Sequence, residues 1–191
     1  MKKMVLVFAL AALALGGSAF AQTPYQNNIG IYFDEAGTNN CAFLPVGSHP
    51  AYVVLTKLTA GDVLGWEAKL TYDNLFPSSL GHRGQAVDVG SRPGEAIVGF
   101  ASPLPAVGGT CVVADVDILV INADPGYAFV GEVYFSLLEN GLPAYIDGDS
   151  NGYALHPSLG GTSDPILIVN GDCSPVAVED ASFGAVKSLY R

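Results

Sequence analysis

The residues of this chain that can hold regular structure come in short runs. Glycine, proline, asparagine and aspartate break them at close intervals, and within them apolar and polar residues alternate one for one. Alternation with period two places successive side chains on opposite faces of a pleated strand, whereas a helix face needs spacings of three and four. The run 65–73, GWEAKLTYD, puts Trp66, Ala68, Leu70 and Tyr72 on one face and Glu67, Lys69, Thr71 and Asp73 on the other. The run 111–121 sets Val112, Ala114, Val116, Ile118 and Val120 opposite Asp115 and Asp117. A third, 128–137, puts Phe129, Val133, Phe135 and Leu137 on one face and reads as the second arm of a hairpin turned by Asp124-Pro125-Gly126. Further strands are expected over 28–33, 51–58, 85–89, 95–101, 143–146, 153–156 and 165–169. About nine or ten short strands with regular turns make an all-β fold, a two-sheet β-sandwich or a barrel.

The two ends differ from this pattern. Lys2 and Lys3 precede the apolar run Met4–Leu15, and Ala19-Phe20-Ala21 follows as an A-x-A cleavage site. A charged start, a short apolar core and small residues at the cut describe a secretion signal. The core is too short for a membrane-spanning helix, which needs about 20 apolar residues. The expected division is a signal helix over 1–21, a β-sandwich over 22–175 and a C-terminal tail over 176–191. In that tail Phe183, Val186, Leu189 and Tyr190 fall at the spacing of a short amphipathic helix, with Glu179 and Asp180 before it and Lys187 and Arg191 at its end. Gly184 weakens such a helix, so it is expected to need a surface to dock on. With the signal gone, no membrane-spanning segment is expected, and the destination is the secreted, periplasmic or cell-surface space.

Charge narrows the partners. The 191-residue chain carries a net charge of −10, and losing Lys2 and Lys3 with the signal takes it to −12. Such a surface repels phosphate backbones, and the remaining cations are scattered, so nucleic acid is excluded as a partner. Three cysteines, Cys41, Cys111 and Cys173, enter an oxidising space, where a disulfide and one leftover thiol are expected, with the pairing open. Their spacing does not suit zinc.

With its GWEAKLTYD ending and the Tyr72-Asp73 pair before a loop, the stretch 51–73 resembles the early strands of cohesin-type β-sandwich domains. Ile97-Val98-Gly99-Phe100, a glycine-rich turn and the strand CVVADVDILV resemble that family's later ones. The resemblance runs over about residues 28–171 and rests on hydrophobic patterning that other immunoglobulin-like domains share. It implies a cohesin-like or Ig-like sandwich and, by the family's habit, the binding of a protein module. It also implies that the first and last strands lie parallel and adjacent, which would bring Cys41 and Cys173 together as the disulfide.

The strongest local motif is Asp147-Gly148-Asp149-Ser150-Asn151-Gly152. Asp147, Asp149 and Asn151 match the opening oxygen ligands of a calcium loop, and the glycine suits its sharp turn. The twelfth position is Ser158 rather than a bidentate glutamate, and a polar hairpin turn is the competing account. Calcium is the only cofactor suggested. Asp115 and Asp117 project from one strand face and could pair as acids, but exposed acids are common on solvated strands. His49, His82 and His156 each neighbour a proline or glycine, and no G-x-S-x-G or marked nucleophile accompanies them. No catalytic residue is therefore assigned. Trp66, Tyr52, Tyr72, Tyr127 and Tyr145 would make a sugar-stacking strip only if several were exposed together, and Trp66 and Tyr72 share their face with Ala68 and Leu70.

The functional expectation is a secreted, non-catalytic module that binds an extracellular protein partner or joins a cell-surface assembly. The alternative is a carbohydrate-binding module with a glycan as ligand. An outer-membrane barrel would need strands of about 9 to 11 residues with a lipid-facing belt. A secreted hydrolase would need a cleft holding acids and a histidine together.

Overall fold

In a computed structural model of the chain, residues 25–138, 140–161 and 163–173 are described, and they form strands, turns and loops. The signal segment and the tail with Phe183, Val186, Leu189 and Tyr190 lie outside the described residues. The strands are β1 (Asn28–Tyr32), β2 (Cys41–Ala42), β3 (Gly47–Thr56), β4 (Asp62–Asp73), β5 (Phe76–His82), β6 (Ala86–Asp88) and β7 (Glu95–Pro105). They continue as β8 (Cys111–Val120), β9 (Gly126–Gly131), β10 (Ala144–Ile146), β11 (Gly152–Ala154), β12 (His156–Pro157) and β13 (Leu167–Val169).

These strands make two sheets, and the fold is a two-sheet β-sandwich. The smaller sheet runs β12-β1-β3-β8-β5. The larger is built around β4: β7 lies along one side and carries β6 beyond it, while the other side is shared by β10, leading to β11, and β9, leading to β13 and β2. Alternation fills the space between the sheets. Ile29, Ile31, Val53, Leu55, Val116 and Ile118 face inward from one, and Trp66, Ala68, Leu70, Ala96, Val98 and Leu167 from the other. A fully buried aliphatic or aromatic side chain contributes about 1.5 to 3 kcal/mol relative to exposure, so these inward faces dominate the folding energy.

Several expectations change once the strands pair. The stretches 111–120 and 126–131 are not a hairpin: β8 bonds to β3 and β5 in the smaller sheet, β9 to β4 and β13 in the larger. The turn 121–125 is a crossing between layers, because both strands carry an apolar face that must reach the same core from opposite sides. Strand β9 also stops at Gly131, so Phe129, Val133, Phe135 and Leu137 do not share a strand face. Val133 is buried, whereas Phe135 and Leu137 stand on an exposed loop. On β8 the register with β3 slips between Val53 and Val54 and passes over Val113. The bulge reverses the alternation at its start, so Cys111 and Val113 point inward and Val112 does not. Strand β5, FPSSLGH, went unread because proline, serines and glycine are poor strand formers. It is an exposed edge strand with its own slip between Pro77 and Ser79, the kind of irregular edge that resists further pairing.

Cys41 and Cys173 form the disulfide, with Cα atoms 5.7 Å apart. The strand geometry differs from the one the resemblance implies. The parallel partner of β1 is β12, and β13 runs parallel to β2, Ile168 lying opposite Cys41. The bond therefore fastens the β2 edge of the larger sheet to the chain just beyond β13. Cys111 is the free thiol; burial first, and the Asp62 carboxylate second, push it up to about 11.

The bond spans 132 residues of sequence. Replacing both partners, Cys41→Ser with Cys173→Ser, is expected to lower the unfolding free energy by about 3 to 5 kcal/mol, because the cross-link restricts the unfolded chain. Urea titration measures this, and a loss below about 1 kcal/mol would show that β-pairing alone holds this edge. Iodoacetamide at pH 8 is expected to leave Cys111 intact in the folded protein and to alkylate it after unfolding without reductant, since the thiolate is the nucleophile. Rapid native alkylation, read by mass spectrometry, would contradict that burial.

Candidate functional site

The residues singled out in the sequence do not converge. Asp147 sits at the end of β10 in the turn to β11, 7% exposed, and its carboxylate gathers donors from the turn itself. Oδ1 accepts from the Asp149 and Asn151 amides at 3.0 and 2.8 Å, and Oδ2 from Asn151 Nδ2 at 3.0 Å and the Tyr153 hydroxyl at 2.9 Å. These bonds, led by the Asn151 side chain, hold the Asp147 carboxyl below its ordinary range. A cation here would have to displace the Asn151 and Tyr153 donors. Asp149 contributes its amide to this network, and Gly148 donates at 2.7 Å to Asp62.

Asp115 and Asp117 are also engaged separately. Arg83 bridges Asp115 at 2.5 Å and Glu35 at 2.6 Å, and Ser79 donates to Asp117 at 2.8 Å. His49 bonds the Pro45 carbonyl, His82 the Asp88 carboxylate, and His156 stacks on Tyr25 with ring centres 4.3 Å apart. Burial lowers the His156 pKa. Among the described residues, no three His, Cys, Asp or Glu side chains gather as a metal site. Trp66 and Tyr145 are core residues at 2% and 1% exposure, and burial pushes Tyr72 up to about 12. The five aromatics weighed as a sugar strip do not form one exposed surface.

What stands out instead is the outer face of the larger sheet. With Trp66, Ala68 and Leu70 turned inward, Gly65 and Glu67 must face out. Cross-strand pairing sets Val87, Gly99, Gly65 and Ile146 in one outward row across β6, β7, β4 and β10. Ile97, Glu67 and Ala144 form the next row. The two central glycines remove the side chains from the middle of the first row and leave a channel with apolar walls. A cleft of about 140 Å³ opens there, lined by Gly65, Glu67, Ile97, Leu137 and Ile146. Gly65 has a local reason: a Cβ would come 2.7 Å from the Val98 carbonyl oxygen. Gly99 has none, for a Cβ there meets nothing within 4 Å.

The loop after β9 forms one wall. Val133 is buried, and two carboxylates of the sheet fix the loop above it. Glu95 accepts from the Tyr134 amide at 2.8 Å, and Glu67 accepts from the Leu137 amide at 2.6 Å and from Ser136 Oγ at 3.1 Å. Arg92 lies over the Tyr134 ring, 3.3 Å from its centre, a cation–π contact. Glu67, expected on a wet face, is 8% exposed because this loop covers it. So held, the loop presents Phe135 at 76% and Leu137 at 51% exposure, and Val87 on β6 is exposed at 67%. Sequence reasoning missed this site because its residues come from five separated segments. The visible signal was the apolar Tyr134-Phe135 and Leu137-Leu138 pairs beyond the strand's end.

No protein-family model matches the chain, and no curated protein matches it. Among solved structures it is similar to the sixth cohesin of Acetivibrio cellulolyticus scaffoldin B, solved in complex with a Cel5 dockerin mutant. That likeness has a TM-score of 0.47 and 12% identity over 78% of this chain and 100% of that one. It is also similar to the cohesin module of a Clostridium perfringens family 33 glycoside hydrolase, with a TM-score of 0.47 and 12% identity over 77% and 98% of the two chains. A type II cohesin domain from the Acetivibrio cellulolyticus cellulosome matches with a TM-score of 0.47 and 14% identity over 76% and 96%. The likeness is to cohesin modules, at low identity.

Proposed function

We propose that this domain is an exported, non-catalytic module that binds a protein partner through the outer face of its larger sheet. One observation carries the reading. An apolar channel, with a cleft over Gly65 walled by Ile97, Ile146 and Leu137 and continued along the same outward row by Gly99 and Val87, lies open on the outer face of the sheet. Exposed apolar residues gathered on one surface, with polar groups at the rim, mark contact sites. The carboxylates Glu67 and Glu95 spend their acceptor capacity on fixing the wall rather than on chemistry. A rigid wall lowers the ordering cost of association, which is how a small face gains affinity.

The partner suited to this face brings an apolar ridge narrow enough to lie on the glycine floor, with basic groups around it. A ridge answers the missing side chains, and basic groups answer a chain with a net charge of −10. Electrostatic complementarity of this kind speeds encounter and sets orientation more than it adds affinity. The chain's own exported setting supplies the partner's location, the extracellular or cell-surface space.

Gly99→Trp is the decisive variant, because a side chain there has open space and fills the channel without disturbing the sheet. Immobilised protein is expected to retain a defined partner from the producing organism's culture fluid or surface fraction. Gly99→Trp and Leu137→Asp should weaken that retention by about tenfold or more, as loss of a central contact does, with unfolding midpoints unchanged. Retention that both variants leave intact, or no saturable partner at all, would overturn the assignment.

A further inference from the structure

The other sheet carries a second feature on its own outer face. On β1 the inward residues are Ile29 and Ile31, so Asn28, Gly30 and Tyr32 face out. That outward row is then covered. The loop 34–40 closes over one side through Gly37, where a Cβ would lie 2.6 Å from Thr56 Cγ2. The chain after β12 closes the other, the Ser158 amide bonding the Ile29 carbonyl at 3.0 Å. Gly30 leaves the room that Tyr32 and Ser158 occupy; a Cβ there would meet Ser158 Oγ at 2.5 Å and Tyr32 Cε2 at 2.6 Å.

A half-open cavity of about 210 Å³ remains between these coverings and the turn before β8, and hydroxyl groups dominate its polar lining. Tyr32, Thr38, Thr56, Thr110 and Ser158 line it together with Asn28 and Lys57. Ser158 accepts from Asn40 Nδ2 at 3.3 Å and, with Thr56, hydrogen-bonds the Tyr32 phenol. Asn28 is 3% exposed, and its Oδ1 finds no hydrogen-bond partner among the described residues. This oxygen is sealed from the cavity as it stands, and a buried amide oxygen left unbonded costs about 1 to 3 kcal/mol, so a small turn of the Asn28 side chain that brings it to a donor in the cavity is favoured.

From these groups we infer that the cavity is a binding site for a sugar residue, free or at the end of a glycan chain, with one hydroxyl hydrogen-bonded to Asn28. The lining selects a neutral polyhydroxy ligand. A hydroxyl both donates and accepts, so it satisfies the Asn28 amide and the surrounding Ser, Thr and Tyr oxygens in either orientation. Among the described residues that line the cavity there is no carboxylate to hold a cation, Lys57 is the one charged side chain, and the chain's acidity disfavours a free anion. The volume suits one pyranose ring, where water alone would fill it as several molecules of about 30 Å³ each. This site lies on the sheet opposite the apolar channel and stands independently of the partner proposed there.

The test is a titration of the isotopically labelled protein with D-glucose, D-xylose and cellobiose, followed by amide NMR, with sodium sulfate as a separate arm. Saturable shifts are expected at the Asn28 side-chain amide and at Gly37 and Thr38. Cellobiose acting where the monosaccharides do not would identify a glycan end as the source. Asn28→Leu should weaken binding by about tenfold, the cost of losing one buried hydrogen bond. Ala36→Trp at the exposed mouth should abolish it with the unfolding midpoint retained, and it carries the test if Asn28→Leu fails to fold. The Gly99→Trp variant should bind sugar normally. Absence of saturation with every sugar, saturation by sulfate alone, or undiminished binding by Ala36→Trp would refute the site and leave the cavity to water.

Discussion

Trp66, closed between the two sheets at 2% exposure, sets the phase of the longest strand in the fold. Side chains on a strand alternate without exception unless a bulge intervenes, so committing one residue to the core fixes its neighbours. With Trp66, Ala68 and Leu70 inside, Gly65, Glu67, Lys69 and Thr71 have no choice but the outer face. The same strand bonds to β7, β10 and β9, and the phase passes to each of them through the ladder. The outward row from Val87 to Ile146 is thus a by-product of filling the interior. A shift of one residue would bury Glu67 and Lys69 in the core and expel the tryptophan, at a cost far above the few kcal/mol by which domains are stable.

Local alternation was legible for just this reason. It named Trp66, Ala68 and Leu70 as one face, and Val116, Ile118 and Val120 as another, and both sets are buried. What alternation cannot encode is which sheet a strand joins. The stretch around Asp124-Pro125-Gly126 carries every residue of a hairpin turn, yet β8 and β9 separate into different layers, because pairing partners are decided by distant strands. The bulge at Val113 was hidden likewise: a slip depends on where β3 begins to pair, and Cys111-Val112-Val113 are apolar in either phase. Strand β5 was invisible for the opposite reason. Its pairing to β8 supplies from outside what Phe76-Pro77-Ser78-Ser79 lack in propensity.

The sites divide along the same line. The Asp147 turn could be read because its ligating pattern is contiguous, and the structure shows the chain's own donors, Asn151 and Tyr153, taking up the carboxylate. The outer channel and the hydroxyl-lined cavity could not, since each is assembled from segments scattered along the sequence, from Gly65 to Ile146 in the one and from Asn28 to Ser158 in the other. Asn28 looks like any strand-end asparagine in the sequence, and it becomes notable only when Ser158 and the loop 34–40 bury it.

Both surfaces follow from one device, the covering of a sheet's outer face by a loop that folds back on it. On the larger sheet the covering segment is apolar, and it is tied down by backbone amides bonding Glu67 and Glu95. Its side chains are then left to face outward as Phe135 and Leu137. On the smaller sheet the covering segments bring Gly37, Asn40 and Ser158 over the strand residues Asn28, Tyr32 and Thr56, so polar groups lie between them and Asn28, Asn40 and Ser158 are buried. A buried polar lining demands a matching polar occupant, while an exposed apolar wall demands a surface to lie against. The two faces therefore present opposite chemistries from a single core, and neither requires the other to be filled.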